Sequence, residues 1–140
     1  SSLMEIRKDN LLISDDKTKI NRKKVYQLLQ NSYWASKRSR QTIDISIENS
    51  ICFGLYQDNK MIGFARALTD KTVSSWLFDI IIEKQYRGRG LGKWFFDNII
   101  KHKDLMNTKI YLTTRDAQGL YKKYGFRVKE AMVKIPDQNC

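Results

Sequence analysis

The sequence predicts an α/β fold of the α+β kind: one domain with a central mixed, mostly antiparallel sheet and about four helices around it. Three observations lead there. Residues 51–82 read as strands, whereas the segments before and after them carry helical spacing. Within that stretch, 51–56 and 61–68 are joined by the short polar link Asp58-Asn59-Lys60, the mark of an antiparallel hairpin and not of a parallel crossover. Ile80-Ile81-Ile82 then runs through a glycine-rich turn straight into an amphipathic segment. A chain of 140 residues is the size of one domain, taken as 1–140, and can bury a substantial core. Ser1, Ser2 and Leu3, ahead of Met4, read as a cloning remnant.

In chain order, Met4-Glu5-Ile6-Arg7 alternates weakly and suggests an edge strand. Ser14-Asp15-Asp16 offers side-chain oxygens to the free N–H groups of a first helical turn. Ile20, Val25, Leu28 and Leu29 follow near helical spacing, so a helix is expected to about Gln30. A second, shorter helix after Gln41 carries Ile43 and Ile47. The hairpin comes next, then a long strand over 74–82 rich in apolar and β-branched residues. Leu91, Phe95, Ile99 and Ile100 mark the buried face of a helix over 91–102. A strand over 109–114, a short helix over 116–124 and a closing strand over 126–135 complete the pattern.

Composition removes several chemistries. His102 is the sole histidine, so a His-based metal site or a two-histidine mechanism has no residues to work with, and no metal is expected. Cys52 and Cys140 are too few and too far apart for a zinc ribbon, a CxxC pair or a disulfide scaffold, which favours a reducing cytoplasm. No run of about 18 apolar residues is present, so no membrane role is expected. The net charge of +11 suits a polyanionic ligand, but the lysines are scattered and no helix is basic along one side, which argues against a nucleic-acid partner.

The segment Gln85-Tyr86-Arg87-Gly88-Arg89-Gly90-Leu91-Gly92-Lys93 carries the chemistry. Glycines between strand and helix permit close backbone approach, and the free N–H groups of the next turn form an anion site that favours a pyrophosphate. Arg87, Arg89 and Lys93 add charge around it. A Walker loop would need Ser or Thr after Gly92-Lys93, where Trp94 stands, and the dinucleotide fingerprint G-x-G-x-x-G is not met by Gly88-x-Gly90-x-Gly92.

Gln85-Tyr86-Arg87-Gly88-Arg89-Gly90 resembles the Q/R-x-x-G-x-G/A motif of the GNAT superfamily of N-acetyltransferases. Downstream, Ala117-Gln118-Gly119-Leu120-Tyr121-Lys122-Lys123-Tyr124-Gly125-Phe126 resembles that family's A-x-x-L-Y-x-x-x-G-F segment, and the order of elements is similar across nearly the whole chain. The resemblance implies a splayed pair of strands at the cofactor site and acetyl-CoA as cosubstrate. It places the pyrophosphate on the backbone from Gly88 to Lys93, through Arg89, Gly90, Leu91 and Gly92, with Gln85 and Arg87 at the loop, and the pantetheine arm along Ile80, Ile81 and Ile82. Tyr121 falls on the family's general-acid tyrosine. Thr114 stands where members often carry an Asn that touches the cofactor, and Lys84 replaces a common proline.

The implied function is direct transfer of an acetyl group to a primary amine of a small molecule, amino acid or peptide in a ternary complex. The amine must lose a proton, since an alkylammonium has a pKa around 10, and a phenol can protonate the departing thiolate. A backbone N–H of the 80–82 strand is placed to polarise the thioester carbonyl. Asp79 resembles an acidic position of some small-amine acetyltransferases and is the candidate base; pairing with Arg66 is its structural alternative. The segment 31–38 lies where the family shapes its acceptor pocket: Tyr33 and Trp34 are candidate walls, and Arg38 a bidentate partner for a carboxylate. A non-catalytic acyl-CoA sensor on the same fold and a basic nucleic-acid-binding module are the rival readings. Exposed edges of a mixed sheet often pair, so a homodimer is a further expectation.

Overall fold

A computed structural model describes residues 3–137; Ser1, Ser2 and Cys140 lie outside the described residues. Six strands form one sheet in sequence order: β1 (Glu5–Lys8), β2 (Leu11–Ser14), β3 (Ile51–Gln57), β4 (Lys60–Thr69), β5 (Ser74–Ile82) and β6 (Lys109–Tyr111). Every neighbouring pair is antiparallel except β5 and β6, which run parallel. Four helices complete the described residues: α1 (Arg22–Gln30), α2 (Arg40–Glu48), α3 (Leu91–Ile99) and α4 (Gln118–Lys122). None is long and apolar enough to cross a membrane.

The β3–β4 hairpin turns on Asp58 and Asn59 at φ 50° and 67°. Two successive left-handed residues match the twist of the flanking strands, and Asp and Asn tolerate that conformation best after glycine. The sheet is covered on both faces. Val25, Leu28 and Leu29 of α1 and Ile43 and Ile47 of α2 pack with Cys52, Phe64 and Ile81 on one side. Phe95, Phe96 and Ile99 of α3 pack with Phe53, Leu55 and Ile62 on the other.

Several boundaries differ from the sequence reading; the strand expected over 109–114 ends at Tyr111 and the helix expected over 116–124 spans only Gln118–Lys122. Leu11–Ser14 is a strand, paired with both β1 and β3, and Ser14 ends it instead of starting a helix. Asp16 caps only a 3-10 turn over Lys17–Lys19, and α1 starts at Arg22 because the Asn21 side chain accepts from the Lys24 N–H. The third helix stops at Ile99, short of His102, whose ring bonds Asp15 at 2.8 Å and the Asp104 N–H at 3.1 Å. The expected strand over 126–135 does not form: its residues belong to no ladder among the described residues. Phe126 packs on Phe96 and Tyr121, but Val128, Met132, Val133 and Ile135 are exposed. Alternating apolar residues make a strand only where an edge receives their backbone.

Two features of β5 open the cleft. Its register against β4 shifts by one between Phe64↔Ile81 and Arg66↔Phe78, and Asp79 sits at φ 57°, so β5 carries a bulge at that point. β6 pairs only with Ser74, Ser75 and Trp76; beyond them the strands diverge. The outer edge of residues 77–82 therefore faces space instead of another strand, as the splayed pair requires.

Candidate active site

The loop after β5 is built as the sequence implies. Gly88 and Gly90 adopt φ 80° and 79°, a region costly for residues with a Cβ, and Gly90 caps α3 without any side-chain bond. The first N–H groups of α3, at Leu91, Gly92 and Lys93, are thus free for an external acceptor. A Cβ built on Gly88 or Gly90 would meet nothing within 4 Å, so their conformation, and not crowding, is what calls for glycine there. Arg87 donates from Nε to the Ile82 carbonyl at 2.8 Å, and Arg89 reaches the Gln85 carbonyl at 3.4 Å while lying over the Tyr86 ring. Both guanidiniums are held at the rim of the loop and do not fill it. Lys24 of α1 pairs with Glu83, and the Glu83 N–H bonds the Ile62 carbonyl at 2.8 Å, which fixes the root of the loop to the sheet.

Two adjoining cavities lie in the cleft. One, about 390 Å³, runs from Arg87 along Ile80, Ile81 and Ile82 to Tyr33 and Trp34. The other, about 530 Å³, reaches from Trp34, Arg38 and Phe78 across to Thr114 and Tyr121. They share Tyr33, Trp34, Ile80, Arg115 and Asp116. The two cavities therefore share a wall, and between them they border residues from Arg87, at the start of the glycine loop, to Tyr121.

Tyr121 is half-buried, its ring 5.1 Å from Phe96 and 5.9 Å from Phe126. Burial, helped by the negative charges of Tyr33 and Asp116 when ionised, pushes its phenol above the usual tyrosine range. The phenol is protonated at neutral pH. Thr114 uses its hydroxyl to accept from the Ala117 N–H at 3.0 Å, which shapes the turn into α4 while leaving the hydroxyl proton available.

Asp79 is the most heavily engaged side chain of the site. Its carboxylate is 1% exposed. Oδ2 accepts from Arg66 Nε at 2.7 Å and Arg38 Nη1 at 2.8 Å, and Oδ1 accepts from the Trp34 indole at 3.1 Å. The loop between α1 and α2 is thus nailed to the bulge of β5 by two of the three residues expected to line an acceptor pocket. The third, Tyr33, packs edge-on against Trp34 and carries the Arg115 guanidinium 3.7 Å above its ring. Arg115 and Asp116 line both cavities yet were missed from sequence; their signal was a charged pair directly after Thr114, where the family resemblance implies a cofactor contact. The pairing of Asp79 with Arg66 was legible only as an alternative, because it depends on the β4–β5 register.

A family model described as "Acetyltransferase (GNAT) domain" matches residues 48–128. The chain is 30% identical over 135 residues to the protein named "Uncharacterized N-acetyltransferase ycf52" of Pyropia yezoensis, covering 91% of this chain and 73% of that relative. Among solved structures, a GNAT-family protein of Xanthomonas campestris pv. campestris superposes with a TM-score of 0.80 at 29% identity, covering 88% of this chain and 93% of that one. A GNAT family acetyltransferase of Elizabethkingia anophelis, solved with acetyl-CoA bound, superposes with a TM-score of 0.63 at 24% identity over 88% of this chain and 80% of its own. With that match over more than half its length, on a sheet split at the expected strands, this chain belongs to the GNAT acetyltransferase family.

Proposed function

We propose that the chain transfers an acetyl group from acetyl-CoA directly to a primary amine. The observation that carries this reading is the pair of adjoining cavities, which share five lining residues and border the open edge of β5 at Ile80–Ile82, Arg87 before the glycine loop and the Tyr121 phenol. The glycine turn into α3 suits a pyrophosphate, and the edge of residues 80–82, which pairs with no strand on that side, suits an extended pantetheine arm once Arg87 releases the Ile82 carbonyl. The acetyl-CoA held by the Elizabethkingia anophelis relative supports the same donor here.

In this mechanism the neutral amine attacks the thioester carbonyl carbon while a backbone N–H on the open edge of β5 stabilises the oxyanion. As the tetrahedral centre collapses the carbon–sulfur bond breaks, and Tyr121 gives its phenolic proton to the thiolate. Solvent restores that proton. Asp79 stands at the position expected for the base, but taking a proton would sacrifice contacts with two guanidiniums. Its role in this reading is to position Arg38 and Trp34, while the proton lost by the amine leaves through water in the cavity. Tyr33 and Trp34 wall the acceptor.

The test is acetyl-CoA-dependent thiol release against pooled amino acids, peptides, polyamines and aminoglycosides, with products identified by mass spectrometry. Release with an acetylated amine in one pool is expected. Acetyl-CoA binding without release in any pool would replace the enzyme with an acyl-CoA sensor.

A further inference from the structure

We infer that the amine acceptor carries an oxyanion, a carboxylate or a phosphate, and that Arg38 receives it. The inference rests on the acetyltransferase reading for the identity of the bound molecule, but not for the existence of the anion site. Two guanidiniums share one carboxylate beneath the larger cavity: Arg38 and Arg66 both bond the same oxygen of Asp79, and among the described residues neither meets a second acid inside that cluster. One positive charge is left over. It is partly withdrawn from water: the side chains of Arg66 and Asp79 are 12% and 1% exposed, and Arg38, at 23%, meets solvent through the cavity. A buried charge without a counter-charge is costly, and an incoming anion relieves that cost.

The two arginines differ in what they have left to offer. Arg66 gives Nε to Asp79 and Nη1 to the Ser50 hydroxyl at 3.3 Å, and lays its guanidinium on the Phe78 ring. Arg38 gives only Nη1 to the protein, and it lines the cavity. Its remaining N–H groups form the kind of planar fork that grips a carboxylate or phosphate through two bonds. Arg115 adds a second cation to the same cavity, stacked on Tyr33 with no carboxylate partner among the described residues. Asp116 is the opposing charge there; exposed beside Arg115 and close enough to Tyr121 to raise its phenol, it suits the ammonium end of the same molecule. An acceptor with an amine and an acidic group would meet both signs.

The Trp34 indole N–H reports on the cluster because it bonds Asp79 directly. In the nitrogen-15-labelled protein, with this signal assigned by Trp34→Phe, acetate and inorganic phosphate are titrated against sodium chloride at equal ionic strength. A saturable shift with either oxyanion, absent with chloride and lost in Arg38→Gln, is expected; which oxyanion gives it separates a carboxylate acceptor from a phosphate one. In parallel, KM is compared for glycine against glycinamide and for phosphoethanolamine against ethanolamine, where the charged member of one pair should bind roughly tenfold better. No shift with either oxyanion, or the same shift in folded Arg38→Gln, overturns the inference. A shift without acetyl transfer to any amine keeps the anion site and removes the acetyltransferase reading. Acetyl transfer with no shift and no preference within either pair does the reverse. Should Arg38→Gln fail to fold, the wild-type titration against chloride and the paired KM values still decide.

Discussion

Replacing Asp79 by Asn keeps the side chain's volume and one hydrogen-bond acceptor but removes the carboxylate that pairs with both Arg38 and Arg66. The structure sets the magnitude. Both ion pairs are short, 2.7 and 2.8 Å, and the carboxylate is 1% exposed. Breaking such a pair by removing one partner costs about 3–5 kcal/mol, mostly because the surviving charge stays buried. Here Arg38, 23% exposed, can swing toward water, and the Asn oxygen can retain the Trp34 indole or one guanidinium. The expected loss is therefore near the lower end, about 3 kcal/mol. At about 3 °C per kcal/mol for a domain of this size, the melting midpoint should fall by roughly 9 °C. The α1–α2 loop loses its anchor, so the acceptor KM should rise about tenfold or more while kcat falls much less. Urea unfolding and initial rates at 15 °C, with acetyl-CoA saturating and the acceptor found in the pooled assay, would measure both. If Asp79→Asn unfolds at the wild-type urea concentration and loses two orders of magnitude in kcat at unchanged KM, then Asp79 is the base and the positioning role is wrong.

Tyr121→Phe should lower kcat by about 10²-fold while leaving acetyl-CoA affinity within a factor of about two, measured by stopped-flow turnover and calorimetry. Since burial raises the phenol's pKa, the donor form persists through neutral pH, and no alkaline loss of activity from Tyr121 is expected below the ordinary tyrosine value. Gly90→Val should cost about 1–2 kcal/mol of stability at its left-handed φ and put a branched side chain into the open cradle; acetyl-CoA Kd, read by calorimetry, should rise by more than about tenfold. Cys52 is buried and its thiol is pushed up to about 11, chiefly by burial. In a Cys140→Ser background it should resist a thiol reagent at pH 8 and react only at the rate of unfolding. Because the folded thiol holds its proton to a higher pH than the unfolded one, Cys52 leaves stability unchanged below the ordinary thiol pKa and lowers it as pH rises to about 11. Rapid labelling of the folded protein at pH 8 would contradict the burial.

Much of the site was legible because its signals are local. A strand, three glycines and a helix carry their own geometry, and Gly88 and Gly90 take the left-handed conformation that only their lack of a side chain makes cheap. Asp58-Asn59 likewise fixed a hairpin within a few residues. The element boundaries that moved were those settled by distant partners. Leu11–Ser14 is a strand because β3 offers an edge across more than 40 residues of chain, and the helix that seemed to start at Ser14 waits for the cap at Asn21. The run over 126–135 has a strand's alternation but finds no ladder among the described residues.

By itself the sequence determined the family and the glycine turn that opens α3, and it singled out the tyrosine that lines the larger cavity, because each is written in contiguous residues whose backbone preferences need no partner. What Asp79 does was decided only by the tertiary structure. Its three donors come from the α1–α2 loop and from β4, brought together by a one-residue register shift that no local pattern announces. Buried electrostatics depend on which charges the fold brings within a few ångströms, and that distance is set by packing across the sheet.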